Sequence, residues 1–314
     1  MDKLFVNDLG NFVNDEVVSF FMVSQKELRD GTKDKYVRLR LTDRTGNLNG
    51  NIWNNVKTLN EAFVEGDIVK IKGIVISYKG QIQLTVNNIR KAADDEYDLA
   101  DFIPKSTKDI GELTEQFFDY IDSIDDEYLK QLLHSIFDDK EFFGLFCRCP
   151  AAKNWHHNYV GGLLEHTVSV TRICDFAAHM YPVQRDLLIT GAMMHDAGKV
   201  YEYNMKTAID FTTIGRLIGH ICLGDEIVCT HAKLINRFPD NTLMKLRHLI
   251  LAHHGEYEKA SARLPQTLEA IVLHYADNLD AQTVGVKQLV EGAVKSDAEW
   301  SEYDKLNNRY FYLG

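Results

Sequence analysis

Between about residues 15 and 91 apolar and polar side chains alternate with a period of two, the pattern of strands that bury one face. The runs EVVSFFMVSQKEL, YVRLRLTD, LNGNIW, GDIVKIKGIVISY and QIQLTVNNIRKA are separated by turn-like RDGTKDK, RTGN and KG. A short helical pattern around TLNEAF falls between the third and fourth. Beyond residue 91 the period changes. LTEQFFDYIDSI and DEYLKQLLHSIF read as helices, and from Trp155 to the C-terminus the pattern is almost wholly helical.

Five strands with one helix after the third is the order of an OB-fold, a small, partly open barrel that often binds oligonucleotides. The alternation assigns Leu39, Leu41, Ile52, Val69, Ile71, Ile74, Ile76, Leu84 and Val86 to its interior. Tyr36, Arg38, Arg40, Trp53, Lys70 and Lys72 alternate with that set, and offer cations for phosphates and rings for base stacking. The plainer reading of the same residues is a core tryptophan and a solvated face of lysines.

The expected fold class is therefore multidomain α and β: a five-stranded OB barrel in residues 1–93, an acidic linker and covering helices in 94–150, and an all-α helical bundle in 151–314. Pro104 and the acids of residues 94–110 punctuate the linker. At 314 residues the chain exceeds one ordinary core, which agrees with more than one domain.

Charge sharpens the division. The net charge of −11 argues against nucleic acid only as an average. Residues 33–91 hold eleven Lys and Arg against five acids, whereas residues 94–141 hold sixteen acids against four bases. The first segment suits a phosphate backbone and the second repels it. No apolar run approaches the ~18 residues of a membrane span, and the acidic N-terminus is unlike a signal peptide, so a cytoplasmic protein is expected. Five cysteines (147, 149, 174, 222, 229) make an odd count with no C-x-x-C pair, and all five read as reduced packing residues.

The candidate chemistry lies in the helical part. His166 occurs inside an amphipathic pattern, and 29 residues later His195 and Asp196 directly follow the apolar run Leu187–Met194. A carboxylate buried there without a partner would be costly. Either a bound cation or an ion pair with nearby Lys199 offsets that cost. Further on come His220, the pair His253 and His254, and Asp277, each separated from the last by about one helix and a connection. Every one would thus come from a different helix and meet in a bundle core. Imidazole with carboxylate suits manganese, iron, zinc or magnesium.

This order, set in GGLLEHT, HDAGK, GHI, HHGE and ADNLD, resembles the HD superfamily of metal-dependent phosphohydrolases. With the preceding YVRLRLTDRTGNLNGNIW, the whole chain from about residue 15 to 300 is similar to the YhaM-type 3′ to 5′ exoribonucleases. The resemblance implies a hydrolase that removes nucleotides from single-stranded RNA, with single-stranded DNA as second candidate. It implies two divalent metals, manganese first, with iron, zinc, cobalt or magnesium as alternatives. His166, His195, Asp196 and Asp277 would hold one metal. His220 with His253 or His254 would hold the other, Asp196 bridging. Lys199, and His157 of NWHHNY beside His156, are the further catalytic candidates. Arg216, four residues before His220, would share its helix face and add a phosphate contact, and a homo-oligomer is a candidate assembly. Two rival functions fit the same residues: an HD phosphohydrolase of mononucleotides or cyclic nucleotides, and a mainly nucleic-acid-binding factor.

Overall fold

The computed structural model describes residues 3–313 apart from 32–33, 79, 99–100, 103–105, 154, 205–208, 294–298, 302 and 305–306. Lys79 of the KG turn, Pro104 and Asn154 therefore lie outside the described residues. The chain divides into two compact units, one running to Lys105 and the other beginning at Ser106.

The first unit is a closed barrel built from β1 (Glu16–Asp30), β2 (Lys35–Asp43), β3 (Gly46–Ile52), β4 (Ile68–Tyr78) and β5 (Gln81–Lys91) in the order β1-β2-β3-β5-β4. Helix α1 (Val56–Glu61) follows the third strand, as expected for an OB-fold. All pairings are antiparallel except β3 with β5. A 3-10 turn, Val6–Phe12, adds Leu9 to the barrel core.

Seven of the nine expected interior residues are buried, from Leu39 to Val86. Ile74 and Ile76 are not. The inward row of β4 runs Val69, Ile71, Gly73, Val75, so the two isoleucines point outward. Gly73 holds an inward position because β5 passes so close that a Cβ there would stand 2.6 Å from the Thr85 carbonyl oxygen. A glycine in the inward row carries no hydropathy signal, and reading past it shifts the phase by one residue. Phe102, in the stretch read as linker, packs on Ile68 and Ala92.

The second unit is helical. Helices α2 (Ile110–Asp122), α3 (Glu127–Phe137) and α4 (Lys140–Phe146) begin at Asp109, Asp126 and Asp139, whose carboxylates accept the orphan amides of the first turn. Part of the acidic load of this segment is thus helix capping, while Leu113, Phe117, Leu132 and Phe137 join the main core. At the centre lie α5 (Gly162–Ala178) and α6 (Arg185–Met194). Helix α6 is buried at every position from Leu187 to Met194, as befits a helix that is apolar all round. Around them run α7 (Lys199–Glu202), the two-residue strands β6 (Tyr203–Asn204) and β7 (Asp210–Phe211), α8 (Thr213–Leu217), α9 (His220–Ala232), α10 (Asp240–Ala252) and α11 (Leu268–Ala293). The C-terminus is not helical as expected: Trp300 bridges Tyr312, and Asp304 bridges Arg309.

Candidate metal centre and nucleic-acid face

Five helices bring the expected residues together. His166 stands in α5, His195 caps the C-terminus of α6, His220 opens α9, His253 caps α10, and Asp277 lies in α11. Gly198 of HDAGK makes this possible. Any side chain there would strike the His220 carbonyl oxygen, which would lie 2.1 Å from its Cβ.

Two sets of atoms form on either side of one carboxylate. Nε2 of His166 lies 3.2 Å from Asp277 Oδ1 and 3.2 Å from His195 Nε2. Asp196 turns Oδ2 toward this set, at 3.6 Å from His166 Nε2 and 3.4 Å from His195 Nε2. Its other oxygen, Oδ1, faces Nε2 of His220 at 3.5 Å and of His253 at 3.6 Å. His254 closes the second set, its ring centroid 5.1 Å from that of His220 and 4.3 Å from that of His253.

The second nitrogen of each ring explains why the first points inward. Nδ1 of His195, His253 and His254 donates to the carbonyls of Ala192, Ile250 and Lys259, each at 2.7 Å. His220 Nδ1 donates to Glu202 at 3.0 Å, and His166 Nδ1 to Asp280 at 2.7 Å. With Nδ1–H committed five times over, five Nε2 atoms converge as acceptors. Such anchoring is how proteins orient metal-ligating histidines.

Charge at the centre calls for a cation. Burial would raise the carboxyl of Asp196, yet Lys199 and His195 hold it well below the ordinary range, and His166 does the same for Asp277. Burial opposes a proton on His166, but Asp277 and Asp280 push that ring up to about 9, so that with no cation bound a proton sits on Nε2, and a cation there would displace it and leave Nε2 an acceptor like the others. Burial, then His253 and His220, lower His254 to about 3, which leaves it a neutral ring. Asp196 Oδ1, His220 Nε2 and His253 Nε2 are moreover buried without a hydrogen-bond partner among the described residues. Three orphaned acceptors facing one another fit a divalent cation and little else, because together they offer only lone pairs.

The remaining candidates separate. Lys199 Nζ lies 2.5 Å from Asp196 Oδ2, the ion pair that was the plainer expectation. His157 is buried with both nitrogens bonded, Nε2 to Asp280 at 2.9 Å and Nδ1 to the Tyr159 hydroxyl at 2.7 Å, so neither is available for proton transfer to a substrate. Arg216 does not share a helix face with His220. Helix α8 ends at Leu217, and Gly219, in the left-handed region at φ 78°, starts a new helix; Arg216 pairs with Asp210 at 3.0 Å on the surface. Asp280 and Glu202 were not singled out from the sequence, although Asp280 sits three residues after Asp277 and so on the same face of α11.

On the barrel, Tyr36, Arg38 and Arg40 point outward between buried Val37, Leu39 and Leu41. Trp53 is half exposed and stacks on Tyr36, ring centroids 4.5 Å apart at 22°. Two adjoining hollows share Arg40 and Asn49, one reaching Arg29 and the other Gln81, so they cross the outer face of β2 and β3. Lys70 and Lys72 are elsewhere. They lie opposite Phe20 and Val18 in the first half of β1, and are paired with Glu96 and Glu16.

Fold and site together define a hydrolase of the HD class that carries an OB barrel. Residues 163–282 match the HD domain, and residues 22–92 match the OB-fold nucleic acid binding domain. A 3′-5′ exoribonuclease YhaM from Bacillus velezensis is 31% identical over 96% of this chain and 95% of its own length. The chain belongs to the YhaM exoribonuclease family. Among solved structures it is similar to the second OB-fold domain of replication protein A from Methanococcus maripaludis (20% identity, 31% of this chain, 98% of that one, TM-score 0.25). It is also similar to an asparaginyl-tRNA synthetase from Pyrococcus horikoshii (13% identity, 39% and 33%, TM-score 0.26). No helix among the described residues is long and apolar enough to cross a membrane.

Proposed function

We propose that this chain removes nucleotides from the 3′ end of single-stranded RNA at a centre of two divalent cations. The observation that carries the reading is Asp196, with one oxygen turned to each set of inward imidazoles. His166, His195, Asp196 and Asp277 would hold one cation, and Asp196, His220, His253 and His254 the other, with manganese the first candidate. Cations bound there supply Lewis acidity toward a phosphoryl oxygen and make water a nucleophile near neutral pH.

The chain's own residues set the geometry. Lys199 fixes Oδ2 of Asp196 and partly neutralises the carboxylate, leaving Oδ1 for the second set. Asp280 receives His166 Nδ1, His157 Nε2 and the Ser169 hydroxyl, so it holds the first ring in place. Residues 1–93 would grip the strand through Tyr36, Trp53, Arg38 and Arg40, and residues 151–314 would cut it, with residues 94–150 covering the bundle. Lys70, Lys72 and Arg216, already paired with acids, are weaker contacts than these.

Incubation of a 5′-labelled single strand with the purified chain and manganese is expected to give a ladder shortening from the 3′ end, and a chelator to stop it. Binding without shortening under any divalent metal would favour the binding factor. Turnover of a mononucleotide unaffected by a long competitor would favour the small-substrate phosphohydrolase. Asp280→Asn is expected to weaken metal affinity about 10- to 100-fold, the usual cost of losing an anchor behind a ligand. Titration of the apo-protein with manganese measures it, and an unchanged affinity would remove Asp280 from the role.

A further inference from the structure

Two adjacent histidines precede α5, and the fold treats them in opposite ways. His157 is braced at both nitrogens by Asp280 and Tyr159. The ring of His156 lies against His166, centroids 5.0 Å apart, and neither of its nitrogens has a hydrogen-bond partner among the described residues. Both nitrogens are nevertheless withdrawn from solvent. No other imidazole at the centre is in this position: each of the five candidate ligands has Nδ1 anchored, and His157 is bonded twice.

Nor does His156 belong with the ligands. Among the described residues, the three groups of side chains whose ligand atoms converge within 4.8 Å are His220 with His253 and His254, His166 with His195 and Asp277, and His157 with His166 and Asp280. His156 is in none of them. A ring that is neither anchored like a ligand nor used as a brace, yet is buried beside the first set, carries a donor whose desolvation is not repaid among the described residues. A partner arriving with the substrate repays it. The group that must approach His166 in a phosphodiesterase is the scissile phosphate, which offers only acceptors and so needs a donor.

We propose that His156 is a substrate-contacting residue whose ring N–H donates a hydrogen bond to a phosphoryl oxygen of the scissile 3′-terminal phosphodiester. The proposal rests on the reading of the centre as a phosphodiesterase, and gives a phosphate contact to His156 rather than a catalytic role to its neighbour His157. Lys199, the other nearby donor, is committed to Asp196.

His156→Phe keeps an aromatic ring of similar shape and removes both nitrogens, while His156→Asn keeps an N–H donor. With both variants and the wild type fully loaded with manganese, metal content, thermal midpoint, kcat and KM on a 5′-labelled RNA are compared. For His156→Phe the expected result is unchanged metal content and midpoint with kcat/KM lowered about 10- to 100-fold, the range for a hydrogen bond to a charged group. His156→Asn should recover a substantial part of that loss. Loss of a metal equivalent in His156→Phe would make His156 a ligand and overturn the proposal, as would equal falls in activity and midpoint in both variants. An active wild type with an equally active His156→Phe overturns this inference alone, whereas an inert wild type overturns the reading beneath it.

Discussion

Asp196→Ala is expected to lower RNA hydrolysis by at least about 10³-fold and to empty both metal positions. Among the described residues Asp196 is the one carboxylate with an oxygen facing each set of imidazoles, so its removal takes a candidate ligand from both. Losing Lewis acid catalysis is worth several kcal/mol, and each ~1.4 kcal/mol is a factor of ten in rate. The alanine variant also strands the buried ammonium of Lys199, and an unpaired buried charge costs about 3–5 kcal/mol of stability. Asp196→Asn keeps the volume and a hydrogen-bond acceptor for Lys199, and serves as the companion. Metal content by elemental analysis, circular dichroism and turnover then separate catalysis from folding. A folded Asp196→Asn protein with full metal content and near-normal turnover would sink the two-cation assignment.

The second large effect belongs to the barrel. Trp53 and Tyr36 form a stacked pair that is half open to solvent beside Arg38, which has no ion-pair partner among the described residues. Stacking on such a platform is worth roughly 1–3 kcal/mol per base. Trp53→Ala is therefore expected to weaken the affinity for a long single strand about 5- to 150-fold, by titration at a fixed salt concentration. Metal content should stay the same. Turnover of a dinucleotide, too short to need the platform, should change little. Equal activity on both lengths would show that the tryptophan plays no part in holding substrate, and would shift weight to hydrolysis of small nucleotides.

Much of this architecture was legible because the chain states it twice, in period and in chemistry. The strict alternation of YVRLRL placed Leu39 and Leu41 inside and Arg38 and Arg40 outside, and the structure agrees. The order of histidines and aspartates along successive helices placed the centre. What was lost depended on contacts between distant segments. Gly73 hid the phase of β4 because its role is to admit a neighbouring backbone. Gly219 broke what read as one helix from Gly215 through Ile235, which separated Arg216 from His220. Asp280 and Glu202 carry no motif of their own, since an anchor needs only an oxygen at the right distance. The difference between His156 and His157 depends on where α11 runs, which no local spacing records.

The anchoring of the five rings has a consequence for the life of the chain. The groups that meet at the centre are spread from His166 to Asp277 and hang on five separate helices; His195 and His253 are aimed by carbonyls at their own helix ends, but His166 and His220 by the carboxylates of Asp280 and Glu202 on other helices. Contacts of such long sequence separation complete late in folding. A nascent or partly folded chain without α11 lacks Asp277, one member of the first set, and Asp280, the anchor of His166. A chain that works through the proposed centre would therefore gain its activity toward RNA only as the bundle closes.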